Sequence, residues 1–106
     1  MSGITTHVLD TARGRPAAGI PVVLELRASD GGWVEVGRGT TDDDGRLRTL
    51  TGPTIEAGTY RIIFNTAAYS GFFPEVAIVF EVRDVAQHYH VPLLLSPFGY
   101  STYRGS

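Results

Sequence analysis

At 106 residues the chain has room for one domain and one core, and nine Lys plus Arg against eleven Asp plus Glu leave a formal charge of −2. That balance makes neither nucleic acid nor an anionic membrane a default partner, and apolar runs such as Val76 to Phe80 are strand-length, far short of a membrane span. The absence of cysteine excludes a disulfide scaffold, a thiolate zinc site and a cysteine nucleophile together.

Glycine and proline punctuate short stretches rich in Val, Ile, Phe, Tyr and Thr, the rhythm of an all-β domain. Ile4 to Leu9 reads as a strand stopped by Asp10 to Gly14. Ile20 to Arg27 alternates, with Val22, Leu24 and Leu26 on one face and Val23, Glu25 and Arg27 on the other. Ser29 to Gly32 turns into a strand from Trp33 to Arg38, and Asp42 to Gly45 turns into one from Arg46 to Leu50. Thr59 to Asn65 alternates again. Thr66 to Ser70 is the one segment with helical character, so at most one short helix is expected. Glu75 to Val82, His88 to Leu95 and Tyr100 to Arg104 complete about eight strands. That many short strands in a single domain spanning 1–106 imply two packed sheets, a β-sandwich.

Alternation sorts the polar residues by face. In His88 to Leu95, Tyr89, Val91, Leu93 and Leu95 belong to the core, and His88, His90 and Leu94 look away from it. His7 shares a face with Leu9, and Ser101 shares one with Tyr103. If these faces adjoin they make a wall of His, Tyr, Leu and Ser, better suited to a pocket than to solvent. His88-x-His90 has the spacing of a strand metal site, but two ligands do not make one, so no metal is expected. Asp42 to Asp44 lacks the spacing of a calcium loop and reads as a solvated turn. No Gly-x-Ser-x-Gly elbow supports a serine nucleophile. A charged fraction of 19%, below the roughly 25% of average chains, suggests surface given to other subunits. Met1 to Ile4 show neither a basic nor an apolar leader region, so a cytoplasmic location is expected.

Three stretches carry a family resemblance: Thr6-His7-Val8-Leu9-Asp10, Asp44-Gly45-Arg46, and Gln87 to Pro97 continuing into Tyr100-Ser101-Thr102-Tyr103-Arg104-Gly105-Ser106. On these the chain resembles the 5-hydroxyisourate hydrolases of the transthyretin-related protein family, whose members end in Tyr-Arg-Gly-Ser. The resemblance implies a transthyretin-like sandwich and hydrolytic opening of 5-hydroxyisourate in urate degradation, without metal or organic cofactor. It further implies a homotetramer, a dimer of dimers, with active sites between dimers. His7, Arg46 and His90 would be catalytic, and His7, Arg46, Tyr103 and Ser106 would hold the substrate. Transthyretin itself, a carrier without turnover, is the alternative; it has Lys, Glu, Thr and Thr at the positions of His7, Arg46, His90 and Tyr103. In one place the chain departs from the family: Ala68-Tyr69-Ser70-Gly71 runs directly into Phe72-Phe73-Pro74-Glu75, without the longer helix and loop usual there.

Overall fold

The computed structural model describes residues 3–52 and 54–105. Among the described residues nine strands form two sheets: β1 (Gly3–Asp10), β2 (Arg15–Pro16), β3 (Pro21–Arg27), β4 (Trp33–Thr40), β5 (Arg46–Leu47), β6 (Gly58–Asn65), β7 (Glu75–Val82), β8 (His88–Ser96) and β9 (Gly99–Thr102). One sheet runs β4-β3-β6-β7. The other runs β2-β1-β8-β9, with β5 pairing beside β2 on the free edge of β1. All pairings are antiparallel except β1 with β8, which run parallel from Gly3 opposite His88 to Asp10 opposite Leu95.

The predicted all-β sandwich is therefore present, and its core follows from alternation. Ile4 and Val8 of β1, Val22 and Leu24 of β3, Ile62 and Phe64 of β6, and Tyr89, Val91, Leu93 and Leu95 of β8 are buried between the sheets. Full burial of a side chain such as Phe64 contributes about 1.5–3 kcal/mol. The expected division of β8 into a core face and an outward histidine face holds for Tyr89, Val91, Leu93 and Leu95 against His88, His90 and Leu94, while Pro92, on the histidine face, is also buried.

Apart from shifts of one or two residues at strand ends, such as β4 running on to Thr40, four features differ from expectation. β2 is an added two-residue strand. The strand expected from Arg46 to Leu50 ends at Leu47, because Leu50 is drawn into the core with its carbonyl against Gly37, leaving no room there for a side chain. Thr66 to Ser70 forms only a single turn, in which the N–H groups of Tyr69 and Ser70 both donate to the Thr66 carbonyl. The last strand stops at Thr102 rather than Arg104. Its register pairs Leu93 with Thr102, and the isolated bridge of His90 with Gly105 keeps the same register. Tyr103 thus stands opposite Pro92, which has no N–H to give, and the ladder lapses for one step. The Thr102 hydroxyl takes up the Pro92 carbonyl at 2.7 Å.

Candidate active site

The outer face of the five-stranded sheet carries His7, Arg46 and His90 on two neighbouring rows. Register sets Arg46 of β5 opposite His7 of β1, and His7 opposite Pro92 of β8, with Tyr103 following in the register of the terminal strand. One step away, Thr5 of β1 stands opposite His90, and His90 opposite Gly105. The three faces that the sequence left separate are adjacent because β8 lies between β1, with which it runs parallel, and β9, with which it runs antiparallel.

His7 is half-buried, and its Nε2 lies 2.9 Å from the Asp44 carbonyl oxygen. A carbonyl only accepts, so Nε2 carries the proton and Nδ1 is left bare in the neutral ring. The loop that supplies this carbonyl is built by Asp42, whose carboxylate accepts from the N–H groups of Asp44 at 2.9 Å and Arg46 at 3.0 Å. Those bonds, Arg46 N–H first, hold the Asp42 carboxyl below its ordinary range, with some help from the charges of Arg48 and Arg46. Gly45 takes φ +74°, and a side chain there would run into the Val8 carbonyl. The acidic run is indeed a turn, and it also aims Arg46 and orients His7.

His90 is clamped from both sides. Its Nδ1 lies 2.8 Å from the Thr5 hydroxyl. On the opposite flank, a Cβ on Gly105 would stand 2.6 Å from His90 Cδ2, so only glycine fits beside the ring. The Gly105 N–H also donates to the His90 carbonyl at 2.8 Å. With Nδ1 toward β1 and Cδ2 toward the terminal segment, the Cε1–Nε2 edge points away from the sheet. Burial lowers the His90 pKa below the ordinary 6.5, and the charges of His88, Arg46 and His7 lower it further. His90 is accordingly neutral near pH 7.

His88, read from the sequence only as half of a possible metal pair, lies parallel to His90 with ring centroids 6.4 Å apart. Its Nε2 shares the Thr5 hydroxyl at 2.8 Å. Among the described residues no group of three or more His, Cys, Asp or Glu gathers to hold a metal ion. Tyr103 is 58% exposed and also borders a cavity of about 260 Å³ lined by Ile78, Phe80, Tyr89 and Val91 at the open edge between the sheets. Ser106, the remaining predicted site residue, lies outside the described residues.

Thr5, Asp42 and Gly105 were missed by sequence reasoning. Thr5 shares the alternation face of His7 and was findable on that signal; Gly105 needed the bridge to His90.

Chemically, the face offers one bare imidazole nitrogen, a second imidazole held neutral, and a planar cationic fork. The Arg46 guanidinium forms no ion pair among the described residues. The combination suits proton transfer to and from a flat, oxygen-rich molecule.

Residues 4–105 match the HIUase/Transthyretin family. The chain is 46% identical over 110 residues to the 5-hydroxyisourate hydrolase of Salmonella dublin, an alignment covering 97% of this chain and 80% of the relative. Among solved structures it resembles Klebsiella pneumoniae 5-hydroxyisourate hydrolase, with a TM-score of 0.83 and 32% identity over 97% of this chain and 98% of that one. It also resembles transthyretin from Sparus aurata, with a TM-score of 0.91 and 31% identity over 99% and 97% of the two chains.

Proposed function

Since the chain belongs to the HIUase/Transthyretin family, we propose that it is a hydrolase of 5-hydroxyisourate acting in urate degradation, yielding 2-oxo-4-hydroxy-4-carboxy-5-ureidoimidazoline. The backbone alone does not separate hydrolase from carrier, because it matches both solved neighbours closely. The observation that carries the reading is the pair of rows in which Arg46, His7 and His90 meet on one outward face.

In the proposed reaction a water molecule attacks a carbonyl carbon of the six-membered ring. His7 Nδ1, bare because Nε2 donates to Asp44, takes the proton the water loses. Arg46 places its fork against the carbonyl oxygen, where negative charge develops. The ring C–N bond then breaks, the carbon leaving as a carboxylate and the nitrogen taking a proton to end as the ureido group. His90, on the adjoining row, serves the protonation side of this exchange. Tyr103 and Ser106 are proposed to hold the substrate. The active assembly is proposed to be a homotetramer, a dimer of dimers, with each site at the dimer–dimer interface and bordered by two subunits. No metal or organic cofactor enters the scheme, and the reaction class is cyclic amide C–N hydrolysis. A cytoplasmic location belongs to the same proposal; among the described residues no helix is long and apolar enough to cross a membrane.

The test is the ultraviolet decay of freshly generated 5-hydroxyisourate with and without the protein. Accelerated decay over the spontaneous rate is expected. Decay equal to the control, with saturable binding of an aromatic ligand, would replace the hydrolase by a carrier. Light scattering checks the assembly, with the mass of four chains expected.

A further inference from the structure

We propose that Thr5 and His88 act as a positioning relay that fixes the proton of His90 on its outward nitrogen, making His90 the donor of the histidine pair. The starting point is a single hydroxyl between two imidazoles: Thr5 Oγ1 lies 2.8 Å from His88 Nε2 and 2.8 Å from His90 Nδ1. A hydroxyl has one proton to give, so in this chain it accepts from one ring and donates to the other. Two directions are available. In the first, His90 Nδ1–H donates to Thr5 and Thr5 donates to His88 Nε2, which puts the His88 proton on Nδ1. In the second, His88 Nε2–H donates to Thr5 and Thr5 donates to His90 Nδ1.

His88 Nδ1 decides between them. It is buried, and among the described residues it has no hydrogen-bond partner. Orphaned buried N–H groups are rare, and burying one is more costly than burying an unused lone pair in the same place. The second direction leaves only a lone pair there. Its consequence reaches the reaction face: His90 Nδ1 is an acceptor, so the proton of the neutral ring sits on Nε2, on the edge that the Thr5 and Gly105 contacts turn away from the sheet. Lowering of the His90 pKa agrees with this neutral form. His7, with its proton spent on Asp44, presents the opposite tautomer. The two histidines are thereby set as acceptor and donor by different partners, Asp44 for one and Thr5 with His88 for the other. This division of labour rests on the hydrolase reading above, whereas the tautomers do not.

The experiment therefore has two readouts. Long-range ¹H–¹⁵N spectra of imidazole-labelled protein, recorded above the His90 pKa, distinguish protonated from bare ring nitrogens. Bare Nδ1 and protonated Nε2 are expected on both His88 and His90. In Thr5→Val, of nearly the same shape, His90 is expected to lose its single tautomer, and kcat for ring opening to fall about 10- to 100-fold with KM within about twofold. Thr5→Ser, which keeps the hydroxyl, should recover most of the loss and the wild-type spectrum. A purely structural Thr5 would lower the melting temperature of Thr5→Val without moving the His90 nitrogen signals. A proton on His90 Nδ1 in the wild type, or full kcat in Thr5→Val, overturns the relay. Absence of ring opening in the wild type overturns the hydrolase reading and leaves the spectra to judge the relay alone.

Discussion

On the outer face of the four-stranded sheet, charges are settled locally. Glu25 holds Arg61 at 2.6 Å, Arg61 and Arg27 lie over Trp33 at 4.4 and 4.6 Å, and Arg38 grips Glu35 through two bonds of 2.8 and 2.6 Å. The outer face of the five-stranded sheet carries three histidines, Arg46 and the hydroxyl of Thr5, with the nearby Asp42 carboxylate committed to backbone N–H groups. Both faces belong to the same sandwich and bury their inner sides alike. A charge that is paired off stabilises modestly and does little else. Polar groups left with one free nitrogen, and a cation left without an anion, keep chemistry available.

The largest expected effect separates the two faces outright. His7→Ala and His90→Ala should each lower kcat by about 10²–10⁴-fold, the usual worth of positioned acid–base groups. Neither side chain faces the core, so melting temperature and assembly mass should stay close to wild type. Trp33→Ala, on the other sheet, should leave kcat within about twofold. Initial rates and thermal melts on the three proteins check this. Near-wild-type turnover in both histidine variants would return the molecule to the carrier reading.

How much of this contrast can be read from the chain depends on range. Alternation is local, so the burial of Tyr89, Val91, Leu93 and Leu95 and the outward turn of His88 and His90 are legible in nine consecutive residues. The Asp42–Gly45 turn is legible for the same reason. What brings Thr5 beside His90 is a parallel pairing across 85 positions, and no local period encodes which strands become neighbours. The lapse of the last strand at Tyr103 is similar: Pro92 is visible, but its effect falls on whichever residue stands opposite. Family resemblance supplied the candidate residue set; what sets His7, Arg46 and His90 on neighbouring rows of one face is register.

A smaller effect tests the clamp on His90. Gly105→Ala places a methyl carbon 2.6 Å from Cδ2 of the ring. Either the ring or the terminal segment must shift, and misplacement of a reacting group by about 1 Å costs up to about 100-fold. A fall in kcat of about 10- to 100-fold is expected, with little change in melting temperature because Gly105 is outside the core. Full activity would mean the terminal segment yields freely and the flank is not a constraint.

Arg46 probes the electrostatics of the same face. Its charge, after burial and His88 and together with His7, lowers the His90 pKa. The neutral form of His90 is thus kept as pH falls below the ordinary 6.5, and its share of the activity should be lost as pH passes through the lowered value. The sign for stability is the same: the fold's preference for neutral His90 is fully present above the unfolded value and disappears as pH falls through the folded one. Arg46→Gln should move the acid limb of the rate profile toward 6.5. Arg46→Lys should leave the limb in place but lower kcat/KM by roughly tenfold, since lysine keeps the charge and loses the fork. Identical acid limbs in both variants would remove Arg46 from control of His90.

The smallest effect is expected on the opposite face, from Glu25→Gln. Arg61 and Glu25 are partly screened by solvent, with side chains 30% and 18% exposed, so the pair should contribute no more than about 1 kcal/mol. Arg61 also keeps its place over Trp33 at 4.4 Å, which leaves it supported when the carboxylate is gone. For a domain of this size, a loss of that order lowers the melting temperature by about 4–8 °C at most. Ring opening should be unchanged at every pH, because Glu25 lies on β3 and bears on none of the groups around His7 and His90. A melting scan and a rate profile on the single variant suffice. A stable Glu25→Gln protein with a lowered kcat or a displaced acid limb would show that the two faces are coupled through the core. The paired charges of the four-stranded sheet would then have to be counted as part of the site.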